Sequence, residues 1–230
     1  DLPGHGLSDK PDDDAAYRLA PMMEAVRGLI DTERLQRVAV VAQSMAGTIA
    51  LELLLAGEPR IERLALVNPA AFGVVPLLGI TRALPLRLIG RAMPYLVTRR
   101  SVARAHRLVY GDPARITQRD IDQYWAPSQF PAYSRALWRL AAAFEWDRPG
   151  ADVMAARLRK VRVPVQVLLG GRDRLVRDAE PYVAALLAAG APLQVSVMEA
   201  GEHAVNEERP REVMDRLSLL RHVDVSVPFR

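Results

Sequence analysis

The 230-residue chain contains no cysteine, so neither a disulfide framework nor a thiolate metal site can form. That usage fits a reducing compartment, and a cytoplasmic location is expected. Lysine is almost absent too: Lys10 and Lys160 are the two, and arginine carries the net charge of +4. No lysine-rich tract or nucleic-acid motif accompanies that charge, so no nucleic-acid partner is expected. No stretch of about eighteen uninterrupted apolar residues occurs, so no stable membrane insertion is expected. The opening residues, Asp1-Leu2-Pro3-Gly4-His5-Gly6, lack the basic head and apolar middle of a secretory leader. Histidine is scarce, with four in all: His5, His106, His203 and His222.

What is present is ordinary for one globular domain with an inserted lobe: half the residues are hydrophobic and a quarter charged. The spacing of Met22, Val26, Leu29 and Ile30 predicts a helix over 20–32. Residues 38–42 (Val-Ala-Val-Val-Ala) read as a strand apolar on both faces, as in a buried parallel sheet. A helix over 45–55 follows, ended by Gly57-Glu58-Pro59. Further strands are predicted at 64–67, stopped by Asn68-Pro69, at 163–169 and at 193–198. Helices are predicted at 180–189, closed by Gly190, and at 210–220, with Pro210 in its first turn.

This alternation predicts an α/β fold, a mostly parallel sheet with helices on both faces. The core would comprise 1–69 and 161–230. Residues 70–160 have helical composition, scattered prolines and no strand candidate, and are predicted to form a helical cap over one end of the sheet. From Arg63 to Gly111 there is no acidic residue but there are eight arginines. The simpler reading is amphipathic helices with solvated arginines. The sharper one is a lid that attracts anionic substrates or lies on an anionic membrane surface.

The chemistry-bearing residues follow the strands. Strand 38–42 runs into Gln43-Ser44-Met45-Ala46-Gly47 and then directly into a helix. A serine at so sharp a turn projects its hydroxyl above the sheet edge, and its neighbours two before and two after must be small, as Ala42 and Ala46 are. An ordinary serine N-cap would look the same in this segment. A serine hydroxyl needs a base. His203 lies just after the fourth predicted strand, at the carboxyl end where open α/β sheets place their sites. His106 reads as a surface residue of the cap, His222 as the end of the last helix, and His5 has no evident acid partner. Asp173, in Gly170-Gly171-Arg172-Asp173, follows the third strand and is the candidate orienting acid, although turn aspartates are common there. Asp178 reads better as an N-cap.

These segments resemble the α/β-hydrolase superfamily. Residues 1–8 look like the loop after its fourth strand, and Val41-Ala42-Gln43-Ser44-Met45-Ala46-Gly47 like its nucleophile elbow. Residues 164–173 resemble its acid strand and turn; His203 with Glu208 and Pro210 resembles its histidine loop and final helix. The family elbow usually has glycine where Ala42 and Ala46 stand, and often histidine in place of Gln43. Its first strands have no counterpart here, so a fragment of a longer protein with an exposed sheet edge is expected.

The resemblance implies an enzyme with Ser44 as nucleophile, His203 as base and Asp173 as acid. The Met45 N–H would be one oxyanion donor, and the other would come from the loop after an absent strand. Gln43, Trp125 and Trp138 are the candidate substrate contacts; cap residues such as Phe72, Tyr95, Tyr124 and Phe130 point to a small, mainly apolar substrate, or simply pack the lobe. No metal or organic cofactor is implied. A serine argues against relatives that attack with aspartate, such as haloalkane dehalogenases and epoxide hydrolases. Ester hydrolysis is the leading expectation. Carbon–carbon bond hydrolysis or acyl transfer on the same triad, and a catalytically incomplete ligand-binding protein, are the alternatives.

Overall fold

A computed structural model of the chain describes residues 1–76, 78, 97–130 and 132–217. Four strands, β1 (Val38–Gln43), β2 (Ile61–Val67), β3 (Val165–Gly170) and β4 (Leu193–Met198), form one sheet in sequence order. Every neighbouring pair is parallel, and Gln43 is level with Val67 and Gly170 with Met198. The carboxyl ends of the strands therefore lie side by side.

The connections are helical: α1 (Leu19–Thr32) precedes β1, and α2 (Met45–Leu55) joins β1 to β2. After β2 come α3 (Arg99–Val109), α4 (Gln118–Trp125), α5 (Tyr133–Ala143) and α6 (Ala151–Leu158). Then α7 (Ala179–Ala188) joins β3 to β4, and α8 (Val205–Glu208) and α9 (Pro210–Arg216) follow β4. The helix expected over 210–220 runs to Arg216; its last residues and His222 lie outside the described residues.

Alternation along the strands divides the core. Leu64, Leu66, Val165, Val167 and Leu169 pack against α1, α2, α6 and α7. The intervening Ala65, Val67 and Leu168 turn to the other face, where Val205, Val213 and Leu217 meet them. Both faces are covered, as a parallel sheet requires. Each fully buried Leu or Val of this set stabilises the fold by about 1.5–3 kcal/mol. The expectation that β1 is apolar and buried on both faces is corrected at Val41, which is 51% exposed. The cause is position: among the described residues β1 pairs with β2 alone, and its other side is unpaired.

In the 70–160 stretch the described residues form helices, with no strand beyond one bridge between Val74 and Arg177. Thr98 and Thr117 start α3 and α4 as reciprocal caps with Ser101 and Asp120. Ala136 and Leu140 of α5 join Tyr17, Met22, Ile49 and Phe144 in a third apolar cluster that ties α5 to α1 and α2. Met154, Ala155 and Leu158 of α6 belong to the main core. On α3, Arg99 pairs with Asp122 at 2.7 Å, while Arg100, Arg104 and Arg107 are exposed. Arg82, Arg87, Arg91 and Tyr95 lie outside the described residues.

His106 is not a surface residue: it is 5% exposed. Its Nδ1 bonds the Val102 carbonyl at 3.0 Å, and its ring lies 4.7 Å from Tyr124 and 5.7 Å from Tyr110. One bond to the preceding helical turn satisfies a ring nitrogen, which lets the imidazole pack among aromatics. Among the described residues no helix is long and apolar enough to cross a membrane.

Candidate active site

Ser44 stands between β1 and α2 with φ 55° and ψ −123°. A non-glycine residue there stores strain of about 1–3 kcal/mol, and it persists only when its surroundings dictate it. Here they do. The Ser44 N–H donates to the Val67 carbonyl at 3.0 Å, and the Ser44 carbonyl accepts from Gly47 and Ala70, each at 3.0 Å. A Cβ on Gly47 would sit 2.9 Å from the Pro69 Cβ and 3.1 Å from its Cα, so that position has no room for a side chain. Ala42, two residues before the serine, is buried. The Ser44 side chain makes no capping bond to α2, unlike an ordinary N-cap serine. The Met45 N–H opens α2, where a helix offers amides without intrahelical acceptors and the positive end of its dipole.

On the adjoining strand ends, His203 Nδ1 lies 2.7 Å from Asp173 Oδ2, and the two side chains are 7% and 5% exposed. The other oxygen, Asp173 Oδ1, accepts from the Leu175 and Val176 amides at 2.8 and 2.9 Å. Three donors thus hold this buried carboxylate as an acceptor, which fixes the histidine proton on Nδ1 and leaves Nε2 for proton exchange. Asp178 occupies the N-cap position of α7, at φ 59°, but makes no side-chain capping bond. His5 bonds the Pro3 carbonyl through Nδ1 at 3.2 Å, and burial holds its pKa below the ordinary histidine value.

Two amides grip the histidine from behind. Gln43 Nε2 donates to the His203 carbonyl at 2.7 Å, so this donor is engaged with the loop. Asn68, buried at the end of β2 with φ 44°, donates from Nδ2 to the carbonyls of Glu202 (2.9 Å) and His203 (3.0 Å). Its Oδ1 accepts from the Gly170 N–H at 2.6 Å. One side chain thereby joins β2, β3 and the histidine loop. In the sequence Asn68 reads only as a strand stop. The signal was an Asn at the carboxyl end of a buried strand, a residue type that tolerates positive φ and both donates and accepts. Trp125 is half-buried at the end of α4 and Trp138 is buried on α5. Neither joins the hydrogen-bond network of Gln43, Asn68, Asp173 and His203. No group of three or more His, Asp or Glu suited to a metal occurs among the described residues.

A strained serine on a strand-to-helix turn, and a histidine–carboxylate pair on neighbouring strand ends of a doubly covered parallel sheet, define the α/β-hydrolase architecture. The chain belongs to the alpha/beta hydrolase family, whose model matches residues 1–216. It is 25% identical over 240 residues to an uncharacterized protein of Mycobacterium tuberculosis, covering 99% of this chain and 67% of that one. Among solved structures it is similar to the 2-hydroxy-6-oxo-6-phenylhexa-2,4-dienoate hydrolase of Rhodococcus sp. strain RHA1. That match has a TM-score of 0.71 at 19% identity over 96% of this chain and 77% of the other. An esterase from Exiguobacterium antarcticum matches with a TM-score of 0.69 at 18% identity, over 94% and 77% of the two chains.

Proposed function

We propose that the chain hydrolyses an ester or related acyl bond of a small, mainly apolar substrate, with Ser44, His203 and Asp173 as its triad. The observations that carry this reading are the strained, non-capping Ser44, the buried Asp173–His203 pair at 2.7 Å, and the bond from Gln43, the residue before Ser44, to the His203 carbonyl. His203 Nε2 takes the hydroxyl proton as Ser44 Oγ bonds to the acyl carbon. The carbonyl π electrons move to oxygen, and the oxyanion is met by the Met45 N–H at the head of α2. On collapse the leaving alkoxide departs with the proton from His203. Water, deprotonated by His203, then cleaves the acyl–serine bond and returns the hydroxyl to Ser44. Asp173 keeps the imidazole in the tautomer that each step needs.

The same nucleophile and base can cleave a carbon–carbon bond next to a carbonyl. The fold likeness to the Rhodococcus dienoate hydrolase keeps this as the second reading. Turnover of p-nitrophenyl acetate and butyrate, run beside a vinylogous diketone, separates them. The ester reading expects release of p-nitrophenol that falls at least about a thousandfold in Ser44→Ala. Diketone cleavage without ester turnover moves the assignment to the second reading. Ester turnover unchanged in Ser44→Ala overturns both.

A further inference from the structure

The peptide unit that follows His203 is held from two sides. Its carbonyl, that of His203, accepts from Gln43 Nε2 at the end of β1 and Asn68 Nδ2 just after β2. Its N–H, that of Ala204, donates to the Val109 carbonyl of the cap at 2.9 Å. A few residues on, the Glu208 carboxylate accepts the Gly111 amide at 3.0 Å through Oε2 and the Asp112 amide at 2.8 Å through Oε1. The Glu208 carbonyl accepts from Arg115 Nη1 at 2.6 Å. Neighbouring Glu207 receives the hydroxyls of Tyr110, at 2.8 Å, and Tyr124. Glu208 is 5% exposed, and a Cβ on Gly111 would come within 2.9 Å of the Glu202 side chain. The cap segment 109–112 is thus pressed onto the histidine loop and latched there by a buried carboxylate bonded to two amides.

We infer that Glu208 is a positioning residue that couples the cap to the base. It locks 109–112 in place, so that Val109 holds the Ala204 N–H and sets the tilt of the peptide plane that carries His203. This inference rests on the proposed role of His203. With the latch cut, the core bonds to the His203 carbonyl persist, but the amide side of the same plane loses its fixed partner. The imidazole then turns relative to Ser44 while remaining tied to Asp173. A base displaced by a fraction of an ångström affects the chemical step far more than substrate binding.

The test uses the full chain as wild type, Glu208→Ala and Glu208→Gln. Three quantities are read: amide hydrogen exchange at Gly111 and Asp112, the low-field proton NMR signal of the His203 Nδ1–H, and kcat and KM for p-nitrophenyl acetate. Expected in Glu208→Ala are faster exchange at both amides, a shifted His203 signal, and kcat lowered by roughly tenfold or more with KM within about twofold. Glu208→Gln keeps one acceptor and lies between the two. Faster exchange at Gly111 and Asp112 with an unmoved His203 signal and unchanged kcat would overturn the coupling. So would unchanged exchange in a folded Glu208→Ala chain. A wild type without esterase turnover defeats the proposed function instead, and the NMR and exchange readouts still decide on the latch.

Discussion

Replacing Asn68 by alanine removes a side chain that makes three buried hydrogen bonds. The His203 carbonyl retains its bond from Gln43, but the Glu202 carbonyl loses its Asn68 donor and the Gly170 N–H its Asn68 acceptor. Leaving a buried group unsatisfied costs about 1–3 kcal/mol, and the bonds lost contribute about 1 kcal/mol each. The backbone at φ 44° adds about 1 kcal/mol for a residue with a Cβ and no local hydrogen bond. Some of these terms overlap, so Asn68→Ala is expected to lose about 3–5 kcal/mol. Asn68→Gly loses the same bonds but not the backbone strain and lies about 1 kcal/mol above the alanine variant. Asn68→Asp keeps an acceptor for Gly170 but turns a carboxylate oxygen toward two carbonyls, so it gains little over alanine. Urea unfolding, with midpoint and slope fitted for each variant, reads these differences. A loss below about 1 kcal/mol in Asn68→Ala, or a glycine variant less stable than the alanine one, would refute the junction role given to Asn68.

Three other outcomes follow from the same structure. Gly170→Ala would place a Cβ 2.7 and 2.8 Å from the carbonyl oxygens of Glu202 and Gly201, where backbone must give way. A loss of at least about 2 kcal/mol is expected, read by the same urea unfolding. Glu58 is buried between Arg60 and Arg27, and the Arg60 guanidinium foremost holds its pKa down at about 2. Because the folded value is the lower one, its stabilisation is fully present above about pH 4.5 and is lost as pH falls toward 2. With solvent screening of the partly exposed arginines this is about 1–2 kcal/mol, and Glu58→Gln should flatten that part of the pH–stability curve. Asp173→Asn leaves the site's shape intact but frees the wrong imidazole tautomer, so ester turnover should fall by about 10³–10⁴-fold with little change in midpoint.

Much of the frame was legible because the sheet is buried on two faces. Runs such as Leu64-Ala65-Leu66-Val67 have one physical use, and α2 and β4 fall on the residues that their patterns predicted. The positions of Ser44, Asp173 and His203 were legible for a related reason: each follows a strand end, and parallel strands in register bring those ends together. What escaped was set by distant partners. Val41 is exposed because, among the described residues, β1 pairs with β2 alone, which local pattern does not encode. His106 is buried because Tyr110 and Tyr124 enclose it, and Tyr124 comes from another helix. Gln43 and Asn68 bond a carbonyl well over a hundred residues away, and no local spacing encodes that meeting. Glu208 sits in the segment that resembles the family's histidine loop, but its two amide partners, Gly111 and Asp112, lie between α3 and α4.

Whether Ser44 is an activated nucleophile is read most directly by fluorophosphonate labelling of the folded chain, with intact mass and peptide mapping to find the modified residue. The expected result is a single adduct on Ser44 that is absent from Ser44→Ala and strongly slowed in His203→Ala. No adduct on the folded, monodisperse wild type, or equal labelling in the His203→Ala variant, would contradict the triad.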